Sequence, residues 1–526
     1  MTTVARTIGQ RLYAAGVRQV LGHPGGEVVD LIDGLRAEGL EFVLTKHEAT
    51  AAFMADAMGA YQGNIPGVCI STLGPGATNL VSGVAHAYLD RAPVIALSGQ
   101  LAMDRYEIVT HQRLDLSALF APITKWHARV TSANAATVLD RAVRVSTRHR
   151  PGPVYLEVPS DVPPLEARPA AADRSDIAVA LGFGEEAARA AAGLLRESTR
   201  PIVLAGIDSL DTASAEALQS LAEEWSIPVM VSPKAKGVFR EDHPLFLGTI
   251  EMLETGKLYE YIDTCDLVVM AGFDPVEFDL DWIAGARVIH VGPLPNDDLY
   301  FRADAELVGP VAVGLRALLD SAAPAGRKHD PSEVRLARDA FLTHLEPRGS
   351  GLAAQAVLRE LRAILPEDGI MTCDVGRNKS VVGQCWPAYR LKTFFMSNGL
   401  SSMGYGFASA MGLQLLEPER RVACVLGDGG FAMYLGEVET AVRRGLPIVA
   451  VILVDEALTQ IKQLQERKGM PPTGTTFGSI DYVALARAFG ADGAEIHRLD
   501  ECRDVFRWAL ERRGPSVIAA YIDPDC

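Results

Sequence analysis

The sequence predicts an α/β chain built from three doubly wound parallel-sheet domains. Three observations carry that reading. Short apolar runs alternate with longer helical patterns along the whole chain. Two segments rich in Pro, Ala and charge, residues 163–178 and 320–333, interrupt the alternation. A chain of 526 residues is too long for one hydrophobic core, and about three domains is the expectation. The divisions fall at 1–165, 180–325 and 345–526.

In the first block, MTTVARTIGQRLYAAG reads as an amphipathic helix and not as a signal peptide. FVLT (42–45) is a strand running into Lys46-His47-Glu48, where an Ala-rich helix begins; VCIST (68–72) and PVIALSG (93–99) are further strands. The second block has PIVLAG (201–206), IPVMV (227–231), LVVMAG (267–272) and RVIHVG (287–292). The third has GIMTCDVG (369–376), VACVLGD (422–428), PIVAVIL (447–453) and PSVIAAYI (515–522). Apolar runs this short, separated by helices, are strands of parallel sheets covered on both faces.

Apolar residues make up 48% of the chain, enough for sizeable cores. A net charge of −16 with no offsetting basic run argues against nucleic acid as a partner. The seven cysteines are dispersed without CxxC spacing, the pattern of buried free thiols in a reducing cytoplasm. No apolar stretch approaches the roughly 18 residues of a membrane span.

The chemistry concentrates in residues 421–457. The run Val422–Leu426 meets Gly427-Asp428-Gly429-Gly430; a helical stretch follows; a second run, Ile448–Leu453, leads to Asp455. A right-handed crossover sets such strands side by side, so Asp428 and Asp455 should converge at the sheet edge where open α/β sheets bind ligands. The glycines let the backbone approach a phosphate, and the next helix turns its positive end toward it. Two carboxylates plus phosphate oxygens suit Mg²⁺. A lone Gly-Asp-Gly is also an ordinary turn, and the second strand with its carboxylate is what distinguishes this one.

The segment resembles the thiamine diphosphate (ThDP) motif, which runs from Gly-Asp-Gly to a pair of asparagines. The resemblance assigns the metal to Asp428, Asp455 and the backbone carbonyl of Ala457, with Val454-Asp455 standing where Asn-Asn is usual. The pattern around Lys46-His47-Glu48 is similar to that of the catalytic glutamate of acetolactate synthases. It implies that Glu48 hydrogen-bonds N1′ of the cofactor's pyrimidine and drives the tautomer whose 4′-imine deprotonates C2. A first-turn glutamate favoured by the helix dipole is the plain alternative. By the same resemblance Met403, in SNGLSSMGYG (397–406), supports the bent cofactor, and Gly376, Arg377 and Asn378 join the Gly427–Gly430 loop at the diphosphate. Arg377 and Asn378 depart from the family's Gln-His or Ser-His. STLGPGATNL (71–80) resembles the family's S-G-P-G-x-x-N loop, which would bring Gly74 and Gly76 to the cofactor of a facing subunit.

The stretch DRAPVIALSGQ…THQRLDLSALFAPITKWHARV (90–130) resembles the FAD-independent, catabolic acetolactate synthases and is shared in part with carboxyethylarginine synthase. It implies that His111 and Gln112 face the reacting end of the site, with Gly25, Gly26, Lys125, Gln460 and Gln465 also on the substrate side. VVMAGFDPVEFDLDW (268–282) resembles the catabolic enzymes, and no FAD is expected. The helix 456–469 has Leu464-Gln465 where anabolic synthases carry Trp-Gln, and Gln460 where Met or Leu is usual. Whether Gln460 faces the pocket or solvent is open at this level.

The implied activity is a ThDP- and Mg²⁺-dependent carboligase that decarboxylates a 2-keto acid, pyruvate first, and passes the acyl-anion equivalent to an acceptor carbonyl. Rival readings are a simple decarboxylase, a carboligase for a sugar, aldehyde, amine or acyl-CoA, and a non-catalytic ThDP-binding homologue. The sequence ends at Cys526, soon after its last strand, so no C-terminal lid over an acyl-CoA is expected. The resemblance also implies a homodimer or homotetramer with sites between subunits.

Overall fold

Strands such as Val94–Gln100 and Ile448–Val454 are buried along their whole length. Backbone runs of that kind need helices on both faces, and the chain provides them three times. A computed structural model describes residues 2–169, 182–250, 256–278, 285–296, 301–321, 326, 328–347 and 349–524.

The first sheet contains β1 (Gln19–Gly22), β2 (Glu41–Leu44), β3 (Gly67–Ser71), β4 (Val94–Gln100), β5 (Trp126–Arg129) and β6 (Val154–Pro159). The second contains β7 (Pro201–Ala205), β8 (Val229–Val231), β9 (Phe246–Thr249), β10 (Leu267–Ala271), β11 (Arg287–Gly292) and β12 (Ala305–Val308). The third contains β13 (Ile370–Cys373), β14 (Phe394–Met396), β15 (Val422–Gly427), β16 (Ile448–Val454), β17 (Asp492–Ile496) and β18 (Ser516–Tyr521). Their orders are β2-β1-β3-β4-β6-β5, β12-β11-β10-β7-β8-β9 and β14-β13-β15-β16-β18-β17. Every pairing is parallel. The outer two sheets share one topology. The middle sheet has the other doubly wound order, with its switch point between β7 and β10.

The expected strands all form. For three of those that the apolar pattern missed the physical reason is visible. β5 and β17 are edge strands, half exposed along their length, so no continuous apolar run marks them. β6 is fully buried but carries Glu157, whose charge Arg129 meets at 2.5 Å. Two boundaries differ from the sequence reading. Residues 163–168 are tied to the N-terminus, with Val4 N donating to Leu165 O and Ala167 N to Thr2 O. The helix Pro331–His344 begins inside the second expected linker and belongs to the middle domain, where Phe341 packs beside Gly248 of β9. The remainder of the first linker, residues 279–282 of the catabolic-like stretch and the terminal Cys526 lie outside the described residues.

The outer domains pack on each other through the helices Glu48–Gln62 and Tyr405–Leu416. A side chain at Gly412 would meet the Met54 carbonyl at 2.8 Å, so glycine is what allows this approach. The described cysteines are free thiols. Among the described residues no helix is long and apolar enough to cross a membrane.

Candidate active site

β15 and β16 run in register, Gly427 opposite Leu453, so the residues that leave their C-terminal ends arrive together. The Asp428 carboxylate is buried there. Its Oδ2 accepts from Asp455 N (3.1 Å) and Glu456 N (2.7 Å), and its Oδ1 accepts from Gly429 N (2.8 Å). Asp455 Oδ2 accepts from the Thr459 hydroxyl (2.5 Å), and Oδ1 from Ala457 N (3.3 Å). The two expected metal carboxylates therefore meet at the predicted edge. Burial pushes Asp428 up to about 6; the Glu456 N–H opposes this and the neighbouring Asp455 adds to it. Burial also raises Asp455, against the Thr459 hydroxyl.

These residues open onto a cavity of about 220 Å³ whose wall also includes Gly376, Arg377, Asn378, Met403, Gly427, Gly429, Gly430, Ala457 and Gln460. Every lining residue lies between Ala354 and Pro524. The helix Arg377–Cys385 starts at this wall, after Gly376 with φ 131, a backbone conformation that favours glycine. Asn378 turns inward and donates to the Asp374 carbonyl (2.8 Å), while Arg377 donates to the Pro524 carbonyl. Gln460, half-buried, is among the residues of the cavity wall.

Asp374, at the end of β13, escaped the sequence reading. Its buried carboxylate accepts from Gly404 N (2.8 and 3.0 Å) and Gly406 N (3.4 Å), which fixes the turn that follows Met403. Burial pushes it up to about 6 against those N–H groups. Only its place after an apolar strand hinted at a role. Asp374→Ala leaves those donors buried without an acceptor, with an expected loss of about 1–3 kcal/mol in chemical denaturation.

The second half of the expected site lies in the first domain. Glu48 opens the helix Glu48–Gln62 and is 7% exposed. Its Oε2 accepts from Asn79 Nδ2 (2.9 Å). Its Oε1 lies 3.2 Å from where a Gly76 side chain would begin, so Gly76 keeps that oxygen clear. Asn79, from the last part of the S-G-P-G-x-x-N-like loop, is thus a partner that the sequence reading quoted without assigning. Gln112, with φ 56, packs over Gly74, and His111 beside it is exposed. Gly25 packs on Thr72, whose hydroxyl donates to Glu27 Oε2 (2.5 Å), and Gly26 faces open space. His47 caps the helix through Ala49 N, a structural role.

Two assignments need correction. Lys125 precedes β5, at the opposite end of the sheet from Glu48, and its ammonium donates to the Val145 and Arg148 carbonyls. Those carbonyls cap the helix Ala135–Thr147, where a cation is favoured. Gln465 exchanges hydrogen bonds with the Thr473 backbone at 3.0 and 3.2 Å and holds a surface loop, away from the cavity wall.

Whether a divalent cation fits can be judged from the donors. Two desolvated carboxylates side by side favour a cation, and hard oxygen donors suit Mg²⁺. No group of three His, Cys, Asp or Glu with metal-binding geometry is present among the described residues. The protein would therefore supply Asp428, Asp455 and the Ala457 carbonyl, and a bound diphosphate or water the remainder. The glycine-lined wall at two helix starts suits that diphosphate.

Parallel-sheet domains and a glycine-lined, carboxylate-bearing cavity at a strand edge define an α/β enzyme that works with a bound cofactor. Family models agree: thiamine pyrophosphate enzyme N-terminal binding domain over residues 2–119, central domain over 188–318 and C-terminal binding domain over 374–520. The chain belongs to the acetolactate synthase-like family of thiamine pyrophosphate enzymes. It is 34% identical to a probable acetolactate synthase large subunit of Methanocaldococcus jannaschii, over 99% of this chain and 92% of that protein. It is 30% identical to an acetolactate synthase of Bacillus subtilis, over 97% and 92%. A catabolic acetolactate synthase of Raoultella terrigena is 29% identical, over 99% and 95%.

Proposed function

We propose that this enzyme is a ThDP- and Mg²⁺-dependent carboligase that decarboxylates pyruvate and transfers the resulting two-carbon unit to an acceptor carbonyl. With pyruvate as acceptor the product is 2-acetolactate. The observation that carries the reading is the Asp428–Asp455 pair opening onto the cavity that Met403 and the Gly427–Gly430 loop line. ThDP, when bound, supplies the electron sink that decarboxylation requires.

The chain's own residues do the rest. Asp428, Asp455 and Ala457 hold the metal, and Gly376, Arg377, Asn378 and the glycine loop hold the diphosphate. Met403, on the cavity wall, would support the bound cofactor. Asn79 fixes Glu48 through Oε2 and leaves Oε1 free to hold a proton against the pyrimidine nitrogen. His111 and Gln112 orient the substrate carboxylate and carbonyl, and the imidazole moves protons. Glu48 and Gln112 are not among the lining residues of the cavity, so the reading pairs one chain's first domain with another's third. A homodimer is the smallest competent unit, and a homotetramer of two such pairs is equally compatible. FAD is not expected, and the visible spectrum of the purified protein tests that directly.

The deciding experiment incubates the protein with ThDP, Mg²⁺ and pyruvate and measures CO₂ together with acetolactate. Equal amounts of both support the proposal. Acetaldehyde in place of acetolactate makes the enzyme a decarboxylase, and no CO₂ removes pyruvate as donor. The position of Gln460 on the cavity wall favours a second reading, in which a polar acceptor that its amide can hydrogen-bond replaces the second pyruvate. Gln460→Met is then expected to shift the acceptor preference toward pyruvate, measured as the product ratio in competition.

A further inference from the structure

The loop 397–404 carries Ser401 and Met403 to the cavity wall, yet much of what holds it comes from the other two domains. Asp90, at the end of the helix Pro75–Leu89, is 3% exposed. Its two carboxylate oxygens each receive a loop N–H: Oδ1 from Gly399 (2.5 Å) and Oδ2 from Asn398 (3.1 Å). Lys234, which follows β8, donates to the same Oδ2 at 3.0 Å and to the Met396 carbonyl at 3.3 Å. Asn398 Nδ2 donates to the Glu277 carbonyl of the middle domain at 2.6 Å. A side chain on Gly399 would meet Leu89 Cβ at 2.7 Å and Asp90 Oδ1 at 2.9 Å, so the loop is seated directly on this carboxylate.

Behind Asp90 the charge network continues. His86 is fully buried, with Nε2 3.3 Å from Asp90 Oδ2 and Nδ1 3.3 Å from Asp56 Oδ1, and it stacks on Tyr405 at 4.4 Å. These contacts lack well-aligned hydrogen bonds, and they are ion pairs when the imidazole is protonated. Burial works against charge on His86, but the two carboxylates outweigh it and raise its pKa. Burying such charges costs more than an apolar seam of the same size unless something is gained in specificity. The position gained here is that of the loop. At its far end Gly404 N is tied to Asp374, so Met403 sits between two carboxylate anchors, one from each outer domain.

We propose that Asp90, paired with Lys234 and packed against His86, is a positioning residue that sets the Met403 loop for the cofactor. The proposal rests on Met403 supporting ThDP, but it needs neither a particular keto acid nor a particular product. In Asp90→Asn one carboxylate oxygen becomes an NH₂ facing a loop N–H, so the loop loses an anchor. In Lys234→Met the ion pair and the bond to the Met396 carbonyl are lost while both loop N–H groups keep their acceptor.

The test titrates the full-length protein with ThDP in the presence of Mg²⁺ by calorimetry, alongside thermal unfolding. Both variants should unfold earlier. D90N should weaken ThDP binding at least about tenfold, the scale of one charge-assisted hydrogen bond, and K234M less than about threefold. Should D90N fail to fold, Gly399→Ala displaces the loop with all charges in place and should weaken binding likewise. Wild-type ThDP affinity in D90N or G399A, or an equal loss in D90N and K234M, would overturn the proposal and leave the network as a domain seam. Met403→Ala is run in parallel: unchanged affinity there defeats the reading of Met403 on its own, whatever Asp90 does.

Discussion

Glu48→Gln is expected to lower turnover about a thousandfold or more, the upper range for loss of a positioned proton-holding group. The amide keeps the shape of the side chain and an oxygen for Asn79, so the helix Glu48–Gln62 and its packing should survive. What it loses is a carboxyl group able to hold a proton against a ring nitrogen. Steady-state kinetics, thermal unfolding and ThDP calorimetry on one preparation separate these effects. The expected pattern is a collapsed kcat with melting temperature and cofactor affinity near wild type. Turnover within tenfold of wild type would remove Glu48 from the mechanism, and a parallel fall in melting temperature would assign the defect to folding.

Asp428→Ala is expected to weaken Mg²⁺-dependent ThDP binding by about a hundredfold or more, since it deletes a proposed metal donor and strands three N–H groups. The same carboxylate sets a pH dependence. Its pKa in the folded, ligand-free protein is about 6, above the ordinary carboxylate value near 4. As pH rises from about 4 to 6 the unfolded chain releases this proton first, so the folded state binds more protons and stability falls. Asp374, also raised to about 6, acts in the same direction. The stabilisation is thus fully present below about pH 4 and lost through about pH 6. Metal binding has the opposite sign, because it needs the carboxylate ionised. ThDP–Mg²⁺ affinity should fall as pH drops through about 6, with proton release on binding. Calorimetry in two buffers of different ionisation enthalpy measures that release. Its absence, or an affinity flat between about pH 5 and 7, would separate Asp428 from the metal.

Much of this site could be read from one chain because its residues lie at punctuation points. Asp428 and Asp455 each end an apolar strand, Glu48 starts a helix after one, and Gly376 and Gly404 occupy backbone conformations that favour glycine. Residues without such marks were missed. Asp374 ends a strand too, but its role exists only because Gly404 and Gly406, some thirty positions on, point their N–H groups at it. Lys125 and Gln465 show the converse. Resemblance placed them at the substrate, and local carbonyls claim both.

By itself the sequence determined the three parallel-sheet blocks, the strand ends that carry the carboxylates, and the family. The blocks and strand ends depend on hydrophobic periodicity and on glycine, which act over a few residues; the family followed from the resemblance of short motifs. Only the tertiary structure decided that Gln460 stands on the cavity wall, that helix 331–344 joins the middle sheet, and that Asp90 and Lys234 hold the loop of Met403 from two other domains. The physical reason is that a buried charge draws its meaning from the partners that desolvate and hydrogen-bond it, and here one such partner is 308 residues away in the chain.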